Sequence, residues 1–129
     1  MEIKVGLKGT VKDIVNDTNT AKIVGSGLLD VFATPMMIAL MEKASCVAIE
    51  SNLDEGMTTV GTMVNVEHLS ATPKDMEVTV ESTVTAVDGR KISFEVVAYD
   101  EVGIIGKGTH DRFIVNAEKF TAKTYSKKQ

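Results

Sequence analysis

Three side chains stand where chemistry could be done: Thr34, Glu42 and His68. The stretch from Ala33-Thr34-Pro35 to Leu53 reads as one long helix. Wound at about 100° per residue, Met36, Met37, Ile38, Leu40, Met41, Ala44, Val47 and Ile49 cover almost its whole circumference. A helix that is apolar nearly all round is normally a buried one. Lys43 and Glu50 mark a narrow wet stripe, and Glu42 does not join them. Its neighbours one and two turns away are Ile38, Ala39, Cys46 and Ile49. A carboxylate taken out of water is costly unless it is paired, hydrogen-bonded or protonated. Glu42 therefore either meets a partner in a dry place or snorkels to solvent or to a second subunit, and the helix alone leaves those readings even. Thr34 precedes Glu42 by about two turns, and their directions differ by roughly 80°, so both can look into one pocket. Thr34-Pro35 is also an N-cap followed by a first-turn proline, and capping alone would explain the threonine.

His68 lies on a segment that alternates with a period of two. Parity puts it with Val60, Val64 and Val66 on the face that should meet the helix, while Glu67 points to water. A histidine on such a face is more often a hydrogen-bonded core residue than a catalyst. That balance shifts when a glutamate of buried aspect lies on the helix which the strand covers, because two ionisable groups in one low-dielectric place mark a functional site. Other chemistries lack their residues. His110, in Gly108-Thr109-His110-Asp111-Arg112, is the only other histidine, and with one cysteine no zinc spacing can be drawn. There is no phosphate-binding loop, dinucleotide fingerprint or nucleophile elbow around Ser45. Cys46 has no charged partner along the chain and reads as a buried, inert thiol, which is compatible with a reducing compartment.

The elements that must position these groups follow in order. Val5 to Val15 is a loosely alternating first strand, and Asn16 to Asn19 is a turn. Ala21 to Val24 is a short edge strand or helical turn. Gly25-Ser26-Gly27 then punctuates the chain before Leu28 and Leu29, a segment that could act as a lid or simply connect. After the helix, Val60 to Leu69, Met76 to Ala86, Ile92 to Ala98 and Ile104 to Ala117 read as four antiparallel strands, with a tight turn at Asp88-Gly89. The pattern is α+β: a curved sheet of about five strands wrapped around one long helix. One helix cannot hide every apolar strand face, nor its own extra apolar sides, so a second copy is expected and the chain should be a homodimer.

The 129 residues, 43% apolar and 25% charged, suit one domain, with a core over about 5–120 and a solvated basic tail over about 121–129. A net charge of −4 argues against nucleic acid. The charged N-terminus is unlike a signal peptide and there is no run of 18 apolar residues, so neither export nor a membrane is indicated and a cytoplasmic location is expected.

Phe32-Ala33-Thr34-Pro35, Leu40-Met41-Glu42, Gly61-Thr62, Val66-Glu67-His68, Ala71-Thr72-Pro73 and Gly108-Thr109-His110-Asp111-Arg112 together resemble the fluoroacetyl-CoA thioesterase branch of the hot-dog superfamily. The resemblance runs from about Val31 to Phe120. It implies a hot-dog fold paired as a dimer, stacking into tetramers being open. It implies hydrolysis of a short-chain acyl-CoA with Thr34, Glu42 and His68 as catalytic residues, no metal, and no cofactor beyond the coenzyme A of the substrate. It further implies that Gly61 lies near the acyl carbonyl from the partner subunit and that Arg112 helps bind substrate, although an Asp–Arg pair on a strand surface would also explain Arg112. In these roles His68 is the general base, Glu42 its orienter and Thr34 the nucleophile or the holder of a water. The family's fluoroacetate-specific member has bulky aromatics in the lid, where this chain has Gly25, Leu28 and Leu29, which implies a different or broader short acyl preference. A non-catalytic acyl-CoA-binding hot-dog module would keep the pocket and lose the chemistry. A hot-dog hydratase would want a histidine beside Asp30, and none is there.

Overall fold

Alternation along Glu77–Asp88 and Lys91–Tyr99 decides the core. Val78, Val80, Val84, Ile92, Phe94, Val96 and Ala98 all turn to one face and are buried there. The computed structural model describes residues 2–128. In chain order the elements are β1 (Lys8–Ile14), α1 (Ala21–Val24), α2 (Thr34–Ile49), β2 (Met57–His68), β3 (Glu77–Asp88), β4 (Lys91–Tyr99), β5 (Ile104–Asn116) and α3 (Ala117–Tyr125). The five strands form one antiparallel sheet in the order β1-β3-β4-β5-β2. Its concave face receives α2, whose Met37, Leu40, Met41, Ala44, Ala48 and Ile49 complete the core.

Close approach of α2 to β1 depends on Gly9, where an added Cβ would lie 2.1 Å from the Ala44 carbonyl oxygen. One polar pair is buried in this layer: Ser45 Oγ donates to the Met41 carbonyl at 2.8 Å and sits 2.7 Å from Ser82 Oγ. Ser45 is thus a structural hydroxyl, satisfied between helix and sheet.

The structure adjusts several expectations. The helix ends at Ile49 and tightens into a 3-10 turn over Glu50–Asn52 instead of running to Leu53. Strand β1 starts at Lys8, not Val5, because Gly6 has φ 98°. The stretch expected as a solvated tail winds into α3, capped by the Asn116 side chain, which accepts from the Lys119 N–H at 2.9 Å. Cys46 is half-buried rather than enclosed.

Strand β2 departs from strict alternation. Its pairing with β5 slips between Gly61 and Met63, leaving Thr62 as the extra residue of a bulge. Ahead of the bulge Thr59 and Gly61 face inward; past it Val64, Val66 and His68 do. Val60, expected on the inner face with His68, therefore turns away from it between Thr59 and Gly61, and Thr62 is exposed. β2 is also an edge strand, and Val64 remains 41% exposed beside the concave face.

Candidate active site

The start of α2 is clamped from two sides. The Ala33 N–H donates to the Asn19 carbonyl at 3.0 Å, and the Phe32 N–H donates to the Thr72 carbonyl at 2.9 Å. Isolated bridges Thr20–Phe32 and Val31–Pro73 extend this clamp. Ala33 is the N-cap and Thr34 the first helical residue; no side chain caps the helix. The capping role expected of Thr34 is therefore not taken up, and its hydroxyl is free for another partner. That partner is His68: Thr34 Oγ1 lies 2.7 Å from His68 Nδ1.

His68 ends β2, where the Leu69 and Ser70 N–H groups both turn onto the Ile105 carbonyl. Burial pushes the His68 imidazole below its ordinary 6.5, with the Ser70 backbone carbonyl opposing the shift. Its Nε2 is sealed from water and makes no hydrogen bond of good geometry among the described residues. Thr34 and His68 open into a cleft of about 250 Å³, lined also by Ser26, Phe32, Leu69 and Ala71. A larger depression of about 510 Å³ lies on the opposite face of the sheet among Glu67, Glu95 and Lys107. It holds neither Thr34 nor His68.

Glu42 belongs to a second cluster. Its Oε2 is 3.2 Å from Arg112 Nη1 and 3.9 Å from His110 Nε2. Arg112 is 7% exposed and spends its other donors on Thr59, Nε to Oγ1 at 2.8 Å and Nη2 to the carbonyl at 3.0 Å. The surface Asp–Arg reading of Arg112 is thereby excluded. His110 Nδ1 lies 2.8 Å from the Met63 carbonyl, so Nδ1 carries the proton and Nε2 accepts from Arg112 Nη1 at 3.2 Å. Burial, more than the Arg112 charge, holds this imidazole below 6.5. Its ring stacks on Phe94 at 6.0 Å between centroids. Gly61 closes the cluster: a Cβ there would stand 2.6 Å from Glu42 Oε2.

The chain therefore brings Thr34 together with His68, and Glu42 together with Gly61 and Arg112. Within one chain it does not bring Glu42 to His68. Glu42 is also less enclosed than expected, its side chain 40% exposed. His110 joins this cluster, a place the residue pattern alone does not assign it. Its parity with Arg112, two residues on along β5, was the available signal. Among the described residues no group of three His, Cys, Asp or Glu side chains could hold a metal ion, and no helix is long and apolar enough to cross a membrane.

A long helix laid in a curled five-stranded antiparallel sheet is the fold of the hot-dog thioesterases. The solved fluoroacetyl-CoA thioesterase superposes with a TM-score of 0.93 at 35% identity, over 98% of both chains. A thioesterase superfamily member from Thermus thermophilus gives 0.90 at 28%, over 98% of this chain and 94% of its own. The chain belongs to the family described as fluoroacetyl-CoA-specific thioesterase, whose model matches residues 15–118. It is 43% identical, over 76% of its length and 70% of the relative's, to the fluoroacetyl-CoA thioesterase of Streptantibioticus cattleyicolor.

Proposed function

We propose that this chain hydrolyses short-chain acyl-CoA thioesters at a site shared between two subunits. The observation that carries the reading is the 2.7 Å contact between Thr34 Oγ1 and His68 Nδ1 in a cleft, in a chain of thioesterase family. A thioester carbonyl needs a nucleophile, a base and donors for the oxyanion. His68, held neutral by burial, takes the proton of Thr34 or of a water that Thr34 positions; Nδ1 must then be bare and Nε2 protonated. The thiolate of coenzyme A leaves and takes up that proton. An acyl-Thr34 so formed is released by water, whereas direct attack by water gives the acid in one step. At the start of α2 the Ala33, Met36 and Met37 N–H groups are engaged and Pro35 has none. This leaves the Thr34 N–H, at the positive end of the helix, as a donor for the oxyanion.

Glu42 joins the site from the second subunit. Eight residues of helix separate it from Thr34, about 12 Å of rise, too far for both to act on one carbonyl from the same chain. The free β2 edge runs through Met57–His68 with Glu67 as its only carboxylate or ammonium, and lacks the lysines and prolines that keep exposed edges apart. Two such edges pairing antiparallel about an axis between Val64 and Asn65 bring His68 opposite the partner's Gly61. The partner's Glu42 and Arg112 come with that glycine, as charge and hydrogen-bond support for the reacting group. A cleft of about 250 Å³ suits a short acyl group. Leu28 and Leu29, 89% and 67% exposed, leave it without an aromatic cover, and we assign a broader preference than fluoroacetyl. A cytoplasmic, one-domain dimer without a metal or separate cofactor is the matching assembly.

A panel of acyl-CoA esters followed by thiol release tests the reading. Turnover of acetyl- or propionyl-CoA is expected, and an acyl adduct on Thr34 in the mass spectrum would select the covalent route. Binding without turnover of any ester would leave a non-catalytic acyl-CoA-binding module.

A further inference from the structure

Among the described residues, helix α3 is the one long element that does not contribute to the core. None of its residues is buried, and Phe120 and Tyr125 stand 42% and 63% exposed. Its anchorage is at its head, where the Ala117 N–H donates to the carbonyl of Gly56, just before β2, at 3.0 Å. Its charge contrasts with the rest of the molecule. In a chain of net charge −4, the segment from Ala117 carries Lys119, Lys123, Lys127 and Lys128 against the single Glu118. Lys119 and Lys123 are one turn apart, and Lys127 follows in the succeeding 3-10 turn. Phe120, Lys123, Thr124, Ser126 and Lys127 line a groove of about 410 Å³.

An aromatic ring beside ammonium groups suits a nucleotide bearing several phosphates: the base stacks on the ring, and the phosphates face the lysines. Coenzyme A carries such a nucleotide at the far end of its pantetheine arm. The dimer register argued above sets the head of the partner's β2, and with it the partner's Ala117, past the His68 end of this chain's β2, four residues or about 13 Å of strand beyond the partner's Gly61 and on the side of the cleft. We propose that α3 of each subunit binds the adenosine bisphosphate end of the coenzyme A whose thioester lies in the other subunit's Thr34–His68 cleft, with Phe120 under the base and Lys119, Lys123 and Lys127 around the phosphates. This inference rests on the thioesterase reading and names where its substrate is held.

The test compares K119Q/K123Q/K127Q with K4Q/K8Q/K12Q, which removes the same charge from the region of β1 at the opposite edge of the sheet. Coenzyme A and pantetheine are titrated calorimetrically, and the acyl-CoA is assayed against the same acyl group on N-acetylcysteamine. The α3 variant should weaken coenzyme A roughly tenfold or more, flatten the salt dependence of its binding, and lower the preference in kcat/KM for the CoA ester by a similar factor. The β1 variant should match the wild type. F120A should weaken coenzyme A without altering the salt dependence. Unchanged coenzyme A affinity in the α3 variant, equal losses in both triple variants, or no binding of coenzyme A by the wild type overturns the inference. So does a loss confined to binding of phosphatidylserine vesicles, which would make α3 a membrane-surface helix. Failure of the catalytic reading is separate: neither thioester is turned over, while coenzyme A binding still reports on α3. A mixed dimer of T34A and α3-variant subunits settles the crossing. Its one competent Thr34 then faces an intact α3 from the other chain and should keep the wild-type KM; a raised KM would mean that each helix serves its own cleft, against the proposal.

Discussion

Thr34 and His68 are held together by a contact whose chemistry depends on which imidazole nitrogen is bare. Removing the hydroxyl as T34A should lower kcat about 10²-fold or more with the fold intact, whereas T34S should retain most of the rate, since the oxygen is kept. Steady-state kinetics with a short acyl-CoA checks both, and full activity in T34A would remove Thr34 from the mechanism. Burial lowers the His68 pKa, so the base stays deprotonated to mildly acidic pH. The acid limb of kcat/KM should accordingly turn below 6.5, the ordinary value, and a limb above it would point to another group. Gly61 tests the second cluster. G61A puts a methyl group 2.6 Å from the Glu42 carboxylate, which must turn away. Activity should fall roughly tenfold or more while the circular dichroism spectrum is kept, because the glycine has no left-handed φ to lose.

Element-scale tests concern how helix and strands bring those residues to their places. Gly9 is the contact point between β1 and α2, and a Cβ 2.1 Å from the Ala44 carbonyl oxygen cannot be accommodated without separating them. G9A should therefore destabilise by about 3 kcal/mol or more in chemical denaturation, at the upper end of overpacking costs. The bulge at Thr62 matters more for function. Gly61 and His68 are an odd number of residues apart, so a regular strand would turn them to opposite faces. The extra residue restores both to the concave side and lets Thr59 meet Arg112. Deleting Thr62 should reverse the parity of one end of β2 and abolish activity together with the Thr59–Arg112 contact.

At the scale of the whole molecule, the open β2 edge should decide the assembly. Light scattering coupled to size exclusion should report a dimer, and Val64→Lys, placing a charge beside the proposed axis, should shift it to monomer and remove activity; a wild-type monomer with full turnover would refute the shared site. The two buried imidazoles should also shape stability against pH. Both are held below 6.5, so the folded chain favours their neutral forms and the unfolded chain protonates first as pH falls. Their contribution is complete above 6.5 and is lost as pH falls from there through the depressed folded values. The melting temperature should decline over that window, and H110Q should reduce the slope.

Much of the architecture was legible in the residues because it rests on short-range periodicity. The alternation of Met76 to Ala98 specified a half-buried hairpin, and the all-round apolar character of Met36 to Ile49 specified a helix needing a sheet around it. Thr34 and His68 could be singled out because each is a polar group in apolar surroundings. Three things needed the tertiary structure. The bulge at Thr62 depends on pairing with β5, which local patterning does not encode. The engagement of Glu42 by Arg112, 70 residues away, depends on which strands become neighbours. The separation of Glu42 from His68 follows from helix rise and strand register acting together, a distance that residue types alone do not contain.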